Sequence, residues 1–202
     1  MDFVVAVCNC CCYSTNRTHG SDAGLRDVWG PVFDRYQVDL VISGHVHAYE
    51  RTHPIRGGRV AARVPSGGVV DPATQGTTYI CAGGGGNSLY TGWYGDSDGG
   101  TTRAAGRPML WRWTGGQTAR GGSGRSENVP DPVTGFSAYR RAAFSVLLVD
   151  VRAPRGADRK TALHIRAVAP RQTPAEVYLD EAAVMDSVTL VRASPASPAK
   201  GR

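Results

Sequence analysis

The run Val38-Asp39-Leu40-Val41-Ile42-Ser43, followed at once by Gly44-His45-Val46-His47-Ala48-Tyr49-Glu50-Arg51, constrains this chain more than any other stretch. Its first half is a short apolar segment that ends at a glycine, the pattern of a buried strand. The glycine lets the backbone turn out of strand geometry, because it tolerates dihedral angles that other residues avoid. Two histidines at i and i+2 past such a turn can face one pocket, and imidazole nitrogen is a good ligand for zinc, iron, manganese or copper. In an open α/β sheet, ligands usually bind beyond the carboxyl ends of the strands. Position, residue type and spacing together point to a metal site. Read alone, a His-x-His pair is more often a surface or core pair; the longer string decides.

That string, Gly-His-Val-His-Ala-Tyr-Glu-Arg after a Val-Asp-Leu-Val-Ile strand, resembles the last metal-binding motif of the purple acid phosphatases, a branch of the metallophosphoesterases. The resemblance continues upstream through Leu25-Arg26-Asp27 and Pro31-Val32-Phe33-Asp34-Arg35-Tyr36. Downstream it takes in Thr78-Tyr79-Ile80, Gly83-Gly84-Gly85-Gly86-Asn87, Phe136-Ser137-Ala138-Tyr139-Arg140 and Asp186-Ser187-Val188-Thr189-Leu190. It implies an α/β, metallophosphoesterase-like layered β-sandwich flanked by helices, of which this chain holds the C-terminal half with an antiparallel C-terminal sheet.

The same resemblance implies hydrolysis of phosphate monoesters by metal-bound hydroxide at two ions, iron paired with zinc, manganese or a second iron. His45 and His47 match the motif's two ligands, which in the family go to different metals. His19 lies in the loop where relatives carry a histidine that contacts the phosphate and acts as general acid. Where relatives carry a further histidine ligand at a strand end, this chain has Asn9 beside Cys10. Asparagine offers a carbonyl oxygen there and cysteine a thiolate, neither a clean substitute for imidazole. The family's Asp, Gly-Asp-x-x-Tyr and Gly-Asn-His-Glu segments have no counterpart and are expected to precede Met1. Two histidines cannot hold a dinuclear centre, since each metal takes roughly four ligands. At most one metal is therefore expected, and no phosphatase activity from the chain alone. The alternative is a non-catalytic remnant that binds one metal weakly or none and serves as an interaction module.

Taken in order, residues 1–7 predict a core strand, and Cys8 to Asn16 lead into a loop carrying His19. Asp22 is a plausible helix N-cap, and Leu25, Val28, Trp29, Val32, Phe33 and Tyr36 fall at helical steps. Gly30-Pro31 inside that pattern predicts a kink or break. Residues 52–76 read as loop, and Thr77 to Ala82 as a strand running into a structural four-glycine turn. Strands are expected over 143–151, 162–168 and 187–191. The chain thus divides into the C-terminal part of the metallophosphoesterase domain (1–86), a Gly/Arg/Trp-rich insertion (87–135), C-terminal strands (136–192) and a frayed tail (193–202).

Cys8, Cys10, Cys11 and Cys12 lack the paired Cys-x-x-Cys spacing of structural zinc, and adjacent strand residues point to opposite faces. They read as small buried residues, as does Cys81, while a cysteine-based metal site remains the rival. Glu50 and Arg51 read as a local ion pair bracing the histidine loop. His53 and His164 receive no functional role.

With 41% hydrophobic and 20% charged residues the chain is globular in composition. All but two of its 23 cationic side chains are arginines, scattered among Ala, Gly and Val, so the net charge of +6 predicts no nucleic-acid partner. No run approaches the roughly 18 apolar residues of a membrane span. The first residues lack the basic start and small-residue cleavage site of a signal peptide, so localisation stays undetermined although the family is often secreted. The expected partner is a phosphate ester; a half-domain with open strand edges is also expected to self-associate.

Overall fold

The computed structural model describes residues 3–95, 108–113, 126–153, 160–170 and 182–193. Strand β1 (Val5–Cys8) leads through a loop to β2 (Ser21–Asp22), helix α1 (Ala23–Arg35) and β3 (Leu40–Ser43). Next come β4 (Tyr49–Thr52), the short β5 (Ile55–Arg56) and β6 (Arg59–Val60), β7 (Gly68–Val70), the single turn α2 (Pro72–Gln75) and β8 (Thr78–Ala82). The remaining strands are β9 (Met109–Trp113), β10 (Ser126–Pro130), β11 (Ser137–Arg141), β12 (Val146–Arg152), β13 (Lys160–Pro170) and β14 (Ala182–Ala193). The fold is mixed α/β, mostly sheet with few helices.

A five-stranded sheet runs in the order β1-β3-β8-β4-β11, parallel across β1, β3 and β8 and antiparallel at β4 and β11. The strand–helix–strand passage from β1 through α1 to β3 is therefore a parallel crossover, as the sequence pattern predicts. A four-stranded sheet, β12-β13-β14-β7, is antiparallel except where β7 joins β14 in parallel. Leu40, Tyr49 and Ile80 from the first sheet meet Leu163, Ile165 and Leu190 from the second in one buried cluster. On the other face of the first sheet, Phe33 of α1 packs with Val41, Tyr79 and Phe136. The histidine loop leaves the C-terminal end of β3 and buries Val46 and Ala48 in a third cluster with Cys11, Cys81 and Trp93.

Several local expectations are corrected. Helix α1 runs through Pro31 unbroken. Asp22 caps it by accepting a hydrogen bond from the Leu25 N–H at 2.7 Å, and Phe33, beyond the proline, packs against Tyr79. Anchorage on both sides offsets the hydrogen bond that proline removes. The predicted apolar face is mostly outward: Val28, Trp29, Val32 and Tyr36 are exposed, and the helix buries Ala23, Arg26 and Phe33 instead. Arg26 is buried because it forms a bidentate pair with Asp131 at 2.7 and 2.8 Å. The first strand is an edge rather than a core strand, with Val5 and Val7 exposed.

The stretch read as loop over 52–76 holds the β5–β6 hairpin, β7 and α2. Gly57 and Gly58, at φ +56° and +68°, form the two-residue turn of that hairpin, a conformation glycine adopts without a Cβ penalty. Strands of two or three residues carry too little alternation to be read from sequence. Within the predicted insertion, β9 pairs antiparallel with β10 and parallel with β2, while residues 96–107 and 114–125, like the tail from 194, lie outside the described residues. No described helix is long and apolar enough to cross a membrane.

Candidate functional site

After Ser43 the chain bends in two tight steps: the Val46 N–H donates to the Gly44 carbonyl and the Ala48 N–H to the Val46 carbonyl, each at 2.7 Å. Val46 and Ala48 point into the core and are fully buried, which leaves His45 and His47 on the outer side of the loop. His45 sits at φ +60°. Left-handed backbone is uncommon outside glycine and costs on the order of 1–3 kcal/mol, so its surroundings must hold it there. The buried Cys81 thiol lies within hydrogen-bonding distance of the carbonyls on either side, Gly44 at 3.2 Å and Val46 at 3.4 Å. Cys11 adds a contact to the Gly44 oxygen at 3.3 Å. Gly83 fits against the same loop, its N–H donating to the Ala48 carbonyl at 3.1 Å.

His19 comes to the loop from a distant part of the chain. Its ring centroid lies 4.3 Å from that of His45 and 5.5 Å from each of Tyr90 and Trp111. Gly20 makes the approach of Trp111 possible, because a Cβ there would run into the Met109 carbonyl and come within 3.2 Å of the Trp111 ring. Burial, followed by the charges of His45 and His47, holds the His19 pKa below its ordinary value of 6.5. His47 stacks on Tyr90 with centroids 4.3 Å apart and planes at 12°, and its Nδ1 donates to the Ser88 carbonyl at 2.9 Å. Asn9 meets the loop through its backbone, its carbonyl accepting from the Gly44 N–H at 3.1 Å. Its side-chain Oδ1 faces the open side of Gly44, and its Nδ2 lies 4.0 Å from the Cys10 sulfur. The fold therefore brings His19, His45 and His47 into one cluster with Asn9 at its base. Sequence reasoning missed Ser88, Tyr90 and Trp111, which lie in the segment read as an insertion and carry no motif.

Glu50 and Arg51 do brace this region, though not as a pair with each other. Neighbours on a strand point to opposite faces. Glu50 turns to the loop that carries His19, accepting from the Thr15 N–H at 2.9 Å and its hydroxyl at 2.6 Å. Burial pushes its carboxyl pKa up. Arg140 reaches the same Thr15 hydroxyl at 2.6 Å and the Tyr94 carbonyl at 2.7 Å, tying the 90–95 segment to the sheet. Arg51 turns to the other core and forms a bidentate pair with Asp186 at 2.7 and 3.0 Å, both side chains fully buried. His53 accepts from the Val64 N–H at 2.9 Å and His164 contacts Thr189 at 3.1 Å.

The described residues do not fit a dinuclear centre. They contain no group of three or more His, Cys, Asp or Glu side chains arranged to hold a metal ion. The cluster supplies imidazoles without the carboxylates that neutralise and bridge two cations. The cysteines likewise form no such group, and all five are free thiols, three of them buried.

No protein-family model matches the chain. An uncharacterized protein of Mycobacterium tuberculosis is 42% identical over 97 residues, which cover 45% of this chain and 18% of that protein. Purple acid phosphatase 21 of Arabidopsis thaliana is 40% identical over 76 residues, covering 37% of this chain and 15% of the relative. Among solved structures, the purple acid phosphatase PPD1 from yellow lupin (Lupinus luteus) seeds superposes with a TM-score of 0.53 at 16% identity, over 99% of this chain and 28% of that one. The fold is shared with part of a purple acid phosphatase. The chain spans less than a fifth of the length of the curated relatives it matches.

Proposed function

We propose that this chain belongs to a phosphatase-type hydrolase of the purple acid phosphatase kind, acting on phosphate monoesters, and forms part of its layered metallophosphoesterase sandwich. In this reading His45 and His47, with Asn9 beside them, contribute to a metal site whose remaining donors lie outside the described set. His19 contacts the phosphate and serves as the proton donor to the leaving group. The observation that supports it best is the contact between His19 and His45, two residues far apart in sequence, at the end of a parallel strand where such folds bind ligands. The test is elemental mass spectrometry of the purified chain together with a chromogenic phosphate-ester assay on the same sample. We expect at most one metal ion per chain, lost in His45→Ala, and no turnover from the chain alone. Two ions with turnover would show that the chain completes a centre by itself. No metal in either protein would instead favour the non-catalytic interaction module.

The same reading carries an expectation about assembly. Val5 and Val7 on β1, and Val146, Leu148, Val149 and Val151 on β12, are exposed apolar side chains on the outer strands of the two main sheets. Such edges are templates for pairing with further strands. Light scattering behind size-exclusion chromatography should find dimers or larger species at micromolar concentration; a monodisperse monomer would count against it.

A further inference from the structure

The three histidines differ in how they are held. Around His47, one short segment, residues 88–90, makes three contacts. The Ser88 carbonyl faces Nδ1 at 2.9 Å, the Tyr90 N–H donates to the His47 carbonyl at 2.9 Å, and the Tyr90 ring covers the imidazole face at 4.3 Å. A carbonyl oxygen can only accept, so Nδ1 carries the proton that faces it, and in the neutral ring Nε2 holds the lone pair. Tyr90 is also linked to His19. Its ring lies 5.5 Å from that imidazole, and its carbonyl accepts from Asn16 Nδ2 at 3.2 Å. The Oδ1 of the same Asn16 side chain accepts from the Thr18 N–H at 2.9 Å, one residue before His19. Asn16 is fully buried, which fixes this link.

We propose that Tyr90 is a positioning residue that, with the Ser88 carbonyl, locks His47 in the Nδ1–H tautomer and seats His19 beside it. The inference deepens the reading above, since it concerns the same imidazoles. It assigns His47 as a preorganised Nε2 electron-pair donor toward an electrophile or acidic proton in the cluster. A ligand histidine whose other nitrogen is held in this way keeps one ring orientation and a defined basic nitrogen. Among the described residues His45 has no comparable clamp: it is exposed, its ring lies against His19, and its backbone is in the left-handed region. The two motif histidines are thus inequivalent before any ligand arrives.

The test uses the full chain without metal or substrate. Two-bond ¹H–¹⁵N spectra at a pH well above the imidazole range read the tautomer of each histidine, and His47→Gln identifies the His47 signal by its loss. Wild type is expected to hold His47 as Nδ1–H by about fivefold or more over Nε2–H, as one hydrogen bond would bias it. Tyr90→Phe keeps the ring and should keep that ratio. Tyr90→Ala should bring the two forms to within about twofold, at an unfolding midpoint close to that of Tyr90→Phe. An Nε2–H tautomer in wild type, or a ratio unchanged in a folded Tyr90→Ala, would overturn the proposal. Where Tyr90→Ala does not fold, Tyr90→Leu, which removes the stacked ring and fills its space, is read in the same way. Because the readout needs no turnover, a failed clamp and a failed phosphatase reading give separate results.

Discussion

Asp186→Ala is expected to destabilise the fold by about 3–5 kcal/mol, the range for removing one partner of a buried ion pair. Arg51 and Asp186 are both fully buried, so the substitution leaves a guanidinium without its counter-charge in the core. Asp186 also accepts from the Tyr49 hydroxyl at 2.7 Å, and that donor is stranded as well. The network joins β4, directly after the histidine loop, to β14 of the other sheet, across a sequence separation of 135 residues. Asp186→Asn keeps one acceptor oxygen but sets an amide N–H against the guanidinium, so it should fall between wild type and alanine. Chemical denaturation followed by tryptophan fluorescence measures all three. A loss below about 1 kcal/mol for the alanine variant would mean that Arg51 finds water or another acceptor on relaxing.

The second large effect is expected at Gly83. A Cβ there would run into the Val46 carbonyl oxygen, lie 2.8 Å from the Val46 carbonyl carbon and 3.3 Å from that of Gly44. All three are backbone atoms of the loop that carries His45, so no side chain can swing aside to relieve the contact. Gly83→Ala should cost about 1–3 kcal/mol, the range for overpacking, and push the loop away from His19. The nuclear Overhauser contact between the His19 and His45 rings, whose centroids now lie 4.3 Å apart, should disappear with it. Gly85→Ala is the internal control, since nothing lies within 4 Å of the Cβ position there, and it should stay within about 0.5 kcal/mol of wild type. Equal behaviour of the two variants would show that the loop is not held by the Gly83 contact.

These two positions mark different degrees of legibility. The glycine turn was readable as structural from its lack of a phosphate-binding context. Which of its glycines are close-packed was not, because that depends on which carbonyls pass over them, that of Val46 over Gly83 and that of Ala143 over Gly84. Arg51 was readable as a brace, yet its partner was placed next door rather than 135 residues away. Strand alternation alone argues against the local pair, since Glu50 and Arg51 must face opposite cores. The helix shows the same division. Asp22 as N-cap follows from local chemistry, whereas the exposure of Val28, Trp29, Val32 and Tyr36 depends on what packs against α1.

What the chain's sequence determined by itself is local. It specified the β3 strand and the turn at Gly44, the outward histidines alternating with Val46 and Ala48, the N-cap of α1, and the C-terminal strands β12 to β14, of which β13 and β14 alternate in burial. Each follows from side-chain periodicity or from the dihedral demands of one residue, which neighbouring positions are enough to express. Tertiary structure alone decided that His19 meets His45, that Tyr90 covers His47, and that Glu50 finds Thr15 while Arg51 finds Asp186. Those pairings join residues from 26 (45 − 19) to 135 positions apart. Their partners are selected by which faces the packed sheets bring together, a property of three-dimensional closure that no local stretch of sequence encodes.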